Sequence, residues 1–164
     1  MRIDGFKGGE ALQTKLQEIM AKIGKTAEVK VGFLEGATYP DGTPVPMVAA
    51  IQEYGTSTIP SRPFFRTMIA EKSASWGDSI AALAKANDYD MQKTMASMGE
   101  GIGNQLQASI NAFNSVPLAD STVAKKGFDK QLIDTAVMIN SVGYQVDGGE
   151  KVTLPAAATG KAKK

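Results

Sequence analysis

The run from Pro44 to Phe65, PVPMVAAIQEYGTSTIPSRPFF, constrains the fold more than any other part of this chain. A short apolar-faced segment ends at Gly55, a small polar loop follows, and a proline-arginine-proline-aromatic corner leads into a long helical pattern. Proline fixes φ and removes a backbone donor, while glycine enters the left-handed region without a Cβ clash, so the chain path is set here at named positions. The expected order is a helix of about two turns carrying Met47, Val48, Ile51 and Tyr54 on one face, a stop at Gly55, and a second helix with Pro63 in its first turn.

The rest of the chain divides around that corner. Leu12, Leu16, Ile19 and Ile23 recur at intervals of three and four, which predicts a helix from about Gly9 to Ile23 with Gly24 as its stop. Glu28 to Leu34 alternates as a strand with Val29, Val31 and Phe33 on one side. Gly36 to Pro46, GATYPDGTPVP, is rich in turn formers and reads as an exposed loop or ragged hairpin. Phe64, Met68, Ile69, Trp76, Ile80 and Leu83 form the stripe of a long helix reaching Ala86. Asn87 and Asp88 break it, and Asp90 caps a second long helix bearing Met91, Met95, Met98, Ile102, Leu106, Ile110 and Phe113. The glycines at 99, 101 and 103 within that helix predict either a bend or a close packing site.

Pro117 ends that helix, and the chain turns polar. Short helical turns are expected around Asp120 to Lys126 and Thr135 to Asn140, then a strand in which Val142, Tyr144 and Val146 alternate. Residues 1–147 are read as a single domain and 148–164 as a flexible C-terminal tail, with Lys151 to Leu154 able to add a short strand. There is no internal repeat. The fold class is α+β, a small antiparallel sheet packed against two long helices with additional short helices.

Chemistry is bounded by what the chain lacks. With neither cysteine nor histidine there is no thiol nucleophile, no imidazole base, and no metal site built from those ligands. Eighteen basic residues against seventeen acidic give a formal charge of +1, which supplies no general electrostatic attraction for nucleic acid. No segment approaches the roughly twenty apolar residues that cross a bilayer, and MRIDGFKGGE does not build a signal core, so a soluble, cytoplasmic start with no membrane partner is expected.

Individual candidates favour structure over catalysis. Asp88 and Asp90 sit in a helix break, where capping explains them without a metal. Asp120, Ser121 and Thr122 fit a local turn, and no histidine activates the serine. GEGIGNQ, Gly99 to Gln105, lacks both a preceding strand and a Gly-Lys-Ser/Thr sequence, which argues against a phosphate loop. Met91, Met95 and Met98 have ordinary helical core spacing. Arg62 and Arg66 lie one helical turn apart, able to contact phosphate or to pair with Glu53 or Glu71. Lys125, Lys126 and Lys130 form the best internal basic patch, and Lys161, Lys163 and Lys164 end the chain; DNA or partner contact is the secondary role open to these groups.

Taken in order, Ile51-Gln52-Glu53-Tyr54-Gly55, Ile59-Pro60-Ser61-Arg62-Pro63-Phe64-Phe65-Arg66, Asp120-Ser121-Thr122 with Lys125-Lys126-Gly127, Leu132-Ile133-Asp134-Thr135, and Ser141-Val142-Gly143-Tyr144 resemble the HK97 gp10-like family of tailed-bacteriophage neck and tail-completion proteins. The resemblance spans residues 28–147. It departs at Ala136, where the family's pattern has glycine after aspartate-threonine.

The resemblance implies a non-enzymatic virion subunit that self-associates into a ring at the neck or upper tail, without cofactor or metal. It implies neighbouring head-tail connector, tail-terminator or tail-tube proteins as partners, non-specific DNA contact as an option, and the host cytoplasm as the place of assembly. Tyr54, Gly55, Pro60, Arg62, Pro63 and Phe64 become its fold-defining positions, with Tyr54 and Phe64 anchoring helix to sheet. Gly36 to Pro46 and Gly148 to Lys164 are the segments expected to reach partners. An assembly-accessory or DNA-channel-binding module is the alternative, and a hydrolase is the reading the residues support least.

Overall fold

Helix α5 (Met91–Ala112) is the axis on which the first two strands of the sheet and the two helices preceding it in the chain pack. The computed structural model describes residues 9–23, 27–113 and 137–155. Around α5 lie α1 (Gly9–Ile23), β1 (Val29–Phe33), α2 (Val45–Tyr54), α3 (Phe64–Lys72), a 3-10 turn at Ser73–Ser75, α4 (Trp76–Ala86), α6 (Val137–Asn140), β2 (Val142–Val146) and β3 (Lys151–Thr153). The α+β class is as read from the sequence.

The three strands form an antiparallel sheet in the order β1-β2-β3. Val29 faces Val146 and Phe33 faces Val142 across the first pair, and Tyr144 faces Val152 across the second. The turn before β3 is held by Asp147, which donates its backbone N–H to the Glu28 carbonyl at 2.9 Å and accepts the Glu28 N–H on Oδ1 at 2.6 Å.

Sheet and α5 approach closely because two glycines remove side chains between them. A Cβ at Gly99 would stand 2.8 Å from the Tyr144 ring and from Val29 Cγ2, and one at Gly103 would stand 2.3 Å from Leu154 Cδ1. Gly101 points away from the sheet, and a Cβ there would meet nothing within 4 Å. The choice between bend and close contact is thus decided for Gly99 and Gly103 as close contact. Asp90 caps α5 as expected, its Oδ1 accepting the Lys93 N–H at 3.1 Å. Asp88 and Tyr89, at φ 52° and 62°, reverse the chain ahead of it.

The core joins Val45 and Ala49 of α2, Phe64 and Met68 of α3, Leu106 and Ile110 of α5, Met138 and Ile139 of α6, Val142 and Leu154. Each large apolar side chain buried here contributes on the order of 1.5–3 kcal/mol. Gln107 is buried among them and donates to the carbonyls of Ile139 at 3.1 Å and Pro155 at 3.2 Å, which satisfies its amide and ties the C-terminal strand to α6.

Several expectations need correction. The long helix after Pro63 is broken by the 3-10 turn into α3 and α4, and both pieces pack chiefly on α5 instead of on the sheet. Ile69 of its predicted stripe faces outward. The short strand allowed at Lys151 to Leu154 is present: Lys151–Thr153 pairs with β2, and Leu154, only 5% exposed, enters the core, so the tail does not begin at residue 148; a short strand gains its stability from the ladder and from one buried anchor. Gly36 to Pro46, by contrast, is the hairpin of the two forms expected, with a Thr38–Pro44 bridge, with Ala37 and Tyr39 packed against the core, and with Pro40, Asp41 and Gly42 exposed at its tip. Gly24, the turn at 120–126, Lys125, Lys126, Lys130, Lys161, Lys163 and Lys164 lie outside the described residues, as does Ala136.

Candidate functional site

The Gly55–Arg66 corner is built around one buried carboxylate. Glu53, 5% exposed, occupies the inner face of α2 with Val45 and Ala49, at spacings of four residues. Its carboxylate accepts the backbone N–H groups of Phe65 at 2.9 Å and Arg66 at 3.1 Å, and the Arg66 Nε–H at 2.7 Å. The first turn of a helix carries unpaired donors and a partial positive charge, so a carboxylate placed there satisfies both needs of α3.

The loop between the two helices is locked from both sides. Gly55 sits at φ 73°, and a Cβ there would stand 2.6 Å from the Ile59 carbonyl oxygen and 2.8 Å from Ser61 N, so glycine is required by conformation and by space. Thr56 Oγ1 accepts the Ile59 N–H at 3.0 Å, while the Thr56 N–H returns to the Ile59 carbonyl at 2.8 Å. Ser61 Oγ donates to the Glu53 carbonyl at 2.7 Å. Pro63, at φ −77° and ψ 63°, makes a tight inverse turn closed by the Phe64 N–H on the Arg62 carbonyl at 2.8 Å, and α3 starts immediately after it.

The expected site residues separate by burial. Phe64 is buried and meets the Phe33 ring edge-on, with centroids 6.2 Å apart, so it does join helix to sheet. Tyr54 does not. It is 68% exposed and lies under the Arg66 guanidinium, 5.0 Å from its ring centre, because turning Glu53 inward rotates its neighbour out. Arg62, expected as a contact to DNA or a partner, is only 8% exposed: its backbone N–H goes to the Gln52 carbonyl at 2.6 Å and its Nη1 to Gln52 Oε1 at 2.9 Å. Arg66 is half-exposed and held by Glu53 within the chain. The corner is a brace in which Glu53, Ser61, Arg62 and Arg66 hold α2 to α3.

A second feature was not visible as such in the residue pattern. Helix α1 has the expected bounds, yet none of its residues is buried. Leu12, Leu16, Met20 and Ile23 are 55%, 50%, 71% and 43% exposed along one side. Its ion pair from Lys22 to Asp88 ties its C-terminal end to the turn between α4 and α5. That pairing holds the Asp88 carboxyl below its ordinary value, through the hydrogen bond from Lys22 first and its charge second. Periodicity identifies such a stripe but says nothing of whether the same subunit covers it.

Among the described residues no group of three or more acidic, histidine or cysteine side chains is placed to hold a metal, and no helix is long and apolar enough to cross a membrane. Neither family models, nor curated proteins, nor solved structures give a match to this chain.

Proposed function

We propose that this chain is a non-enzymatic virion structural protein, a ring-forming subunit at the neck or upper tail of a tailed bacteriophage that acts in tail completion or head-tail joining. The observation that carries this reading is the apolar stripe of α1, which no core covers among the described residues: none of the helix's residues is buried. A contiguous apolar patch of that kind marks an interaction surface, and a helix of this length is marginal in water without a partner.

The ordered motif set from Ile51 to Tyr144 supports the assignment to the neck and tail-completion proteins, and the Glu53 brace supports a rigid building block over a moving catalytic one. Copies arranged about a symmetry axis repeat each weak contact around a closed ring, so modest interfaces hold together by avidity. The exposed hairpin tip at Pro40, Asp41 and Gly42 is then free to meet a connector, terminator or tube protein in the adjoining ring. Deleting this subunit from the phage that encodes it tests the reading: heads and tails that accumulate unjoined or incomplete, with infectivity restored by supplying the chain in trans, are expected. Undiminished yields of complete infectious particles would refute it.

A further inference from the structure

The sheet ends on one side in an open strand. Glu28 turns its backbone N–H and carbonyl toward Asp147, and Val29 stands opposite Val146. The alternation of an antiparallel ladder therefore directs the N–H and carbonyl groups of Ala27, Val29 and Val31 away from β2. None of these groups has a hydrogen-bond partner among the described residues. Helix α2 stands off that side of β1 across a groove of about 320 Å³, to which Val31, Leu34, Ala50 and Tyr54 contribute, with Tyr54 exposed at its rim. Along the edge, the side chains of Glu28 and Lys30 are 70% and 65% exposed.

We infer that β1 of one subunit pairs along this edge with β1 of a second copy, antiparallel, about a two-fold axis at Val29. Charge selects both the partner and the register. A lysine on an edge strand ordinarily repels a second copy. Here Glu28 reverses that: with Val29 opposite the partner's Val29, Glu28 faces the partner's Lys30 and Lys30 faces the partner's Glu28. These are non-hydrogen-bonded positions, where facing side chains approach most closely. An axis at Lys30 would set it against the partner's Lys30, and an axis at Val31 would leave it opposite the partner's Gly32 with no charge matched. Within one subunit Glu28 and Lys30 meet only at 4.0 Å, beyond hydrogen-bond reach, so both are available to a partner. On the α5 side Val29 meets the partner's Val29, and Val31 meets the partner's Ala27, all of them half-buried in the single subunit. The opposite edge offers less, because β3 has three residues and its Lys151 already donates Nζ to the Glu35 carbonyl at 2.9 Å. A two-fold contact closes after two copies. It is separate from the head-to-tail contacts of a ring and does not rest on the ring reading above.

The chain has no cysteine, so introduced ones report without background. Full-length Glu28→Cys and Lys30→Cys proteins, on copies of different mass, are mixed and oxidised. In the mixed pair a disulfide joins facing positions about 4.5 Å apart at Cα, while the remaining Lys30 and Glu28 still face each other. A mixed dimer in excess over either homodimer is expected. A Lys30→Cys homodimer as the main product would put the axis at Lys30, and homodimers of both kinds would mean parallel strands; either result, or no cross-link, would overturn the contact. Lys30→Glu and Glu28→Lys are each expected to weaken self-association about tenfold in sedimentation, with Trp76 fluorescence unchanged, and an equimolar mixture of the two is expected to restore it. Unaltered association in the single variants, a mixture that does not recover, or a wild-type chain monomeric at every concentration would contradict the proposal. A tagged ring in particles without this cross-link in solution would reject the contact and spare the ring, whereas the cross-link with no subunit in particles would do the reverse.

Discussion

Glu53 accepts the Arg66 Nε–H at 2.7 Å while taking the backbone N–H groups of Phe65 and Arg66, so one buried side chain closes the junction between α2 and α3. The arrangement assigns most of the energy to the carboxylate. Arg66 is half-exposed, and water screens and replaces its share.

Glu53→Gln keeps the shape but turns amide hydrogens toward donors. It is expected to cost about 1–3 kcal/mol in urea unfolding followed by Trp76 fluorescence, since a buried donor is left without an acceptor. Arg66→Ala is expected to cost about 1 kcal/mol or less. Equal losses at the two positions would mean the exposed guanidinium, not the cap, holds the corner.

The three glycines of α5 give a graded test. Gly99→Ala meets the Tyr144 ring and Val29 at 2.8 Å and is expected to destabilise by about 1–3 kcal/mol through overpacking. Gly103→Ala meets the end of the Leu154 side chain, which can turn aside in part, and should cost less. Gly101→Ala meets nothing within 4 Å and is expected to stabilise by about 0.5–1 kcal/mol. Thermal unfolding of the three variants checks the order, and a destabilising Gly101→Ala would contradict the packing described.

These contrasts also mark how far the residues could be read in advance. The bounds of α1, the Asp90 cap, the Gly55 stop and the alternation of Val142, Tyr144 and Val146 follow from local rules and are present in the fold. The buried face of α2 did not follow. Met47, Val48, Ile51 and Tyr54 look like its inner stripe, but two backbone donors and a guanidinium twelve or thirteen residues away draw Glu53 inward and turn Tyr54 out. A proline-arginine-proline corner preceded by a helix-borne acid was the available signal. The strand at Lys151 to Leu154 was legible as an option, but the burial of Leu154 was not, for a related reason: a lone leucine in a polar tail acquires a core role only from the gap that Gly103 leaves.

Leu154→Ala is expected to destabilise by about 2–4 kcal/mol, within the range for truncating a buried leucine. Circular dichroism through a thermal melt measures it. A change below about 0.5 kcal/mol would return residues after 148 to the status of a dispensable tail.

Asp88 supplies a pH dependence with a definite sign. Its folded-state titration lies below the ordinary 3.8 because Lys22 stabilises the carboxylate, so the tether of α1 is present above the ordinary value and is lost as pH falls through the lowered one. The Asp88 side-chain carbonyl shift in an NMR titration should show a midpoint below 3.8 that rises toward it in Lys22→Met. A wild-type midpoint at or above 3.8 would dissolve the tether.

A ring subunit of the phage neck or upper tail must be visible in assembled particles. Cryo-electron microscopy of purified particles carrying a tag on this subunit is expected to show tag density repeated around the tail axis, in a discrete ring at the neck or upper tail. Complete particles with no incorporated subunit would contradict the ring reading.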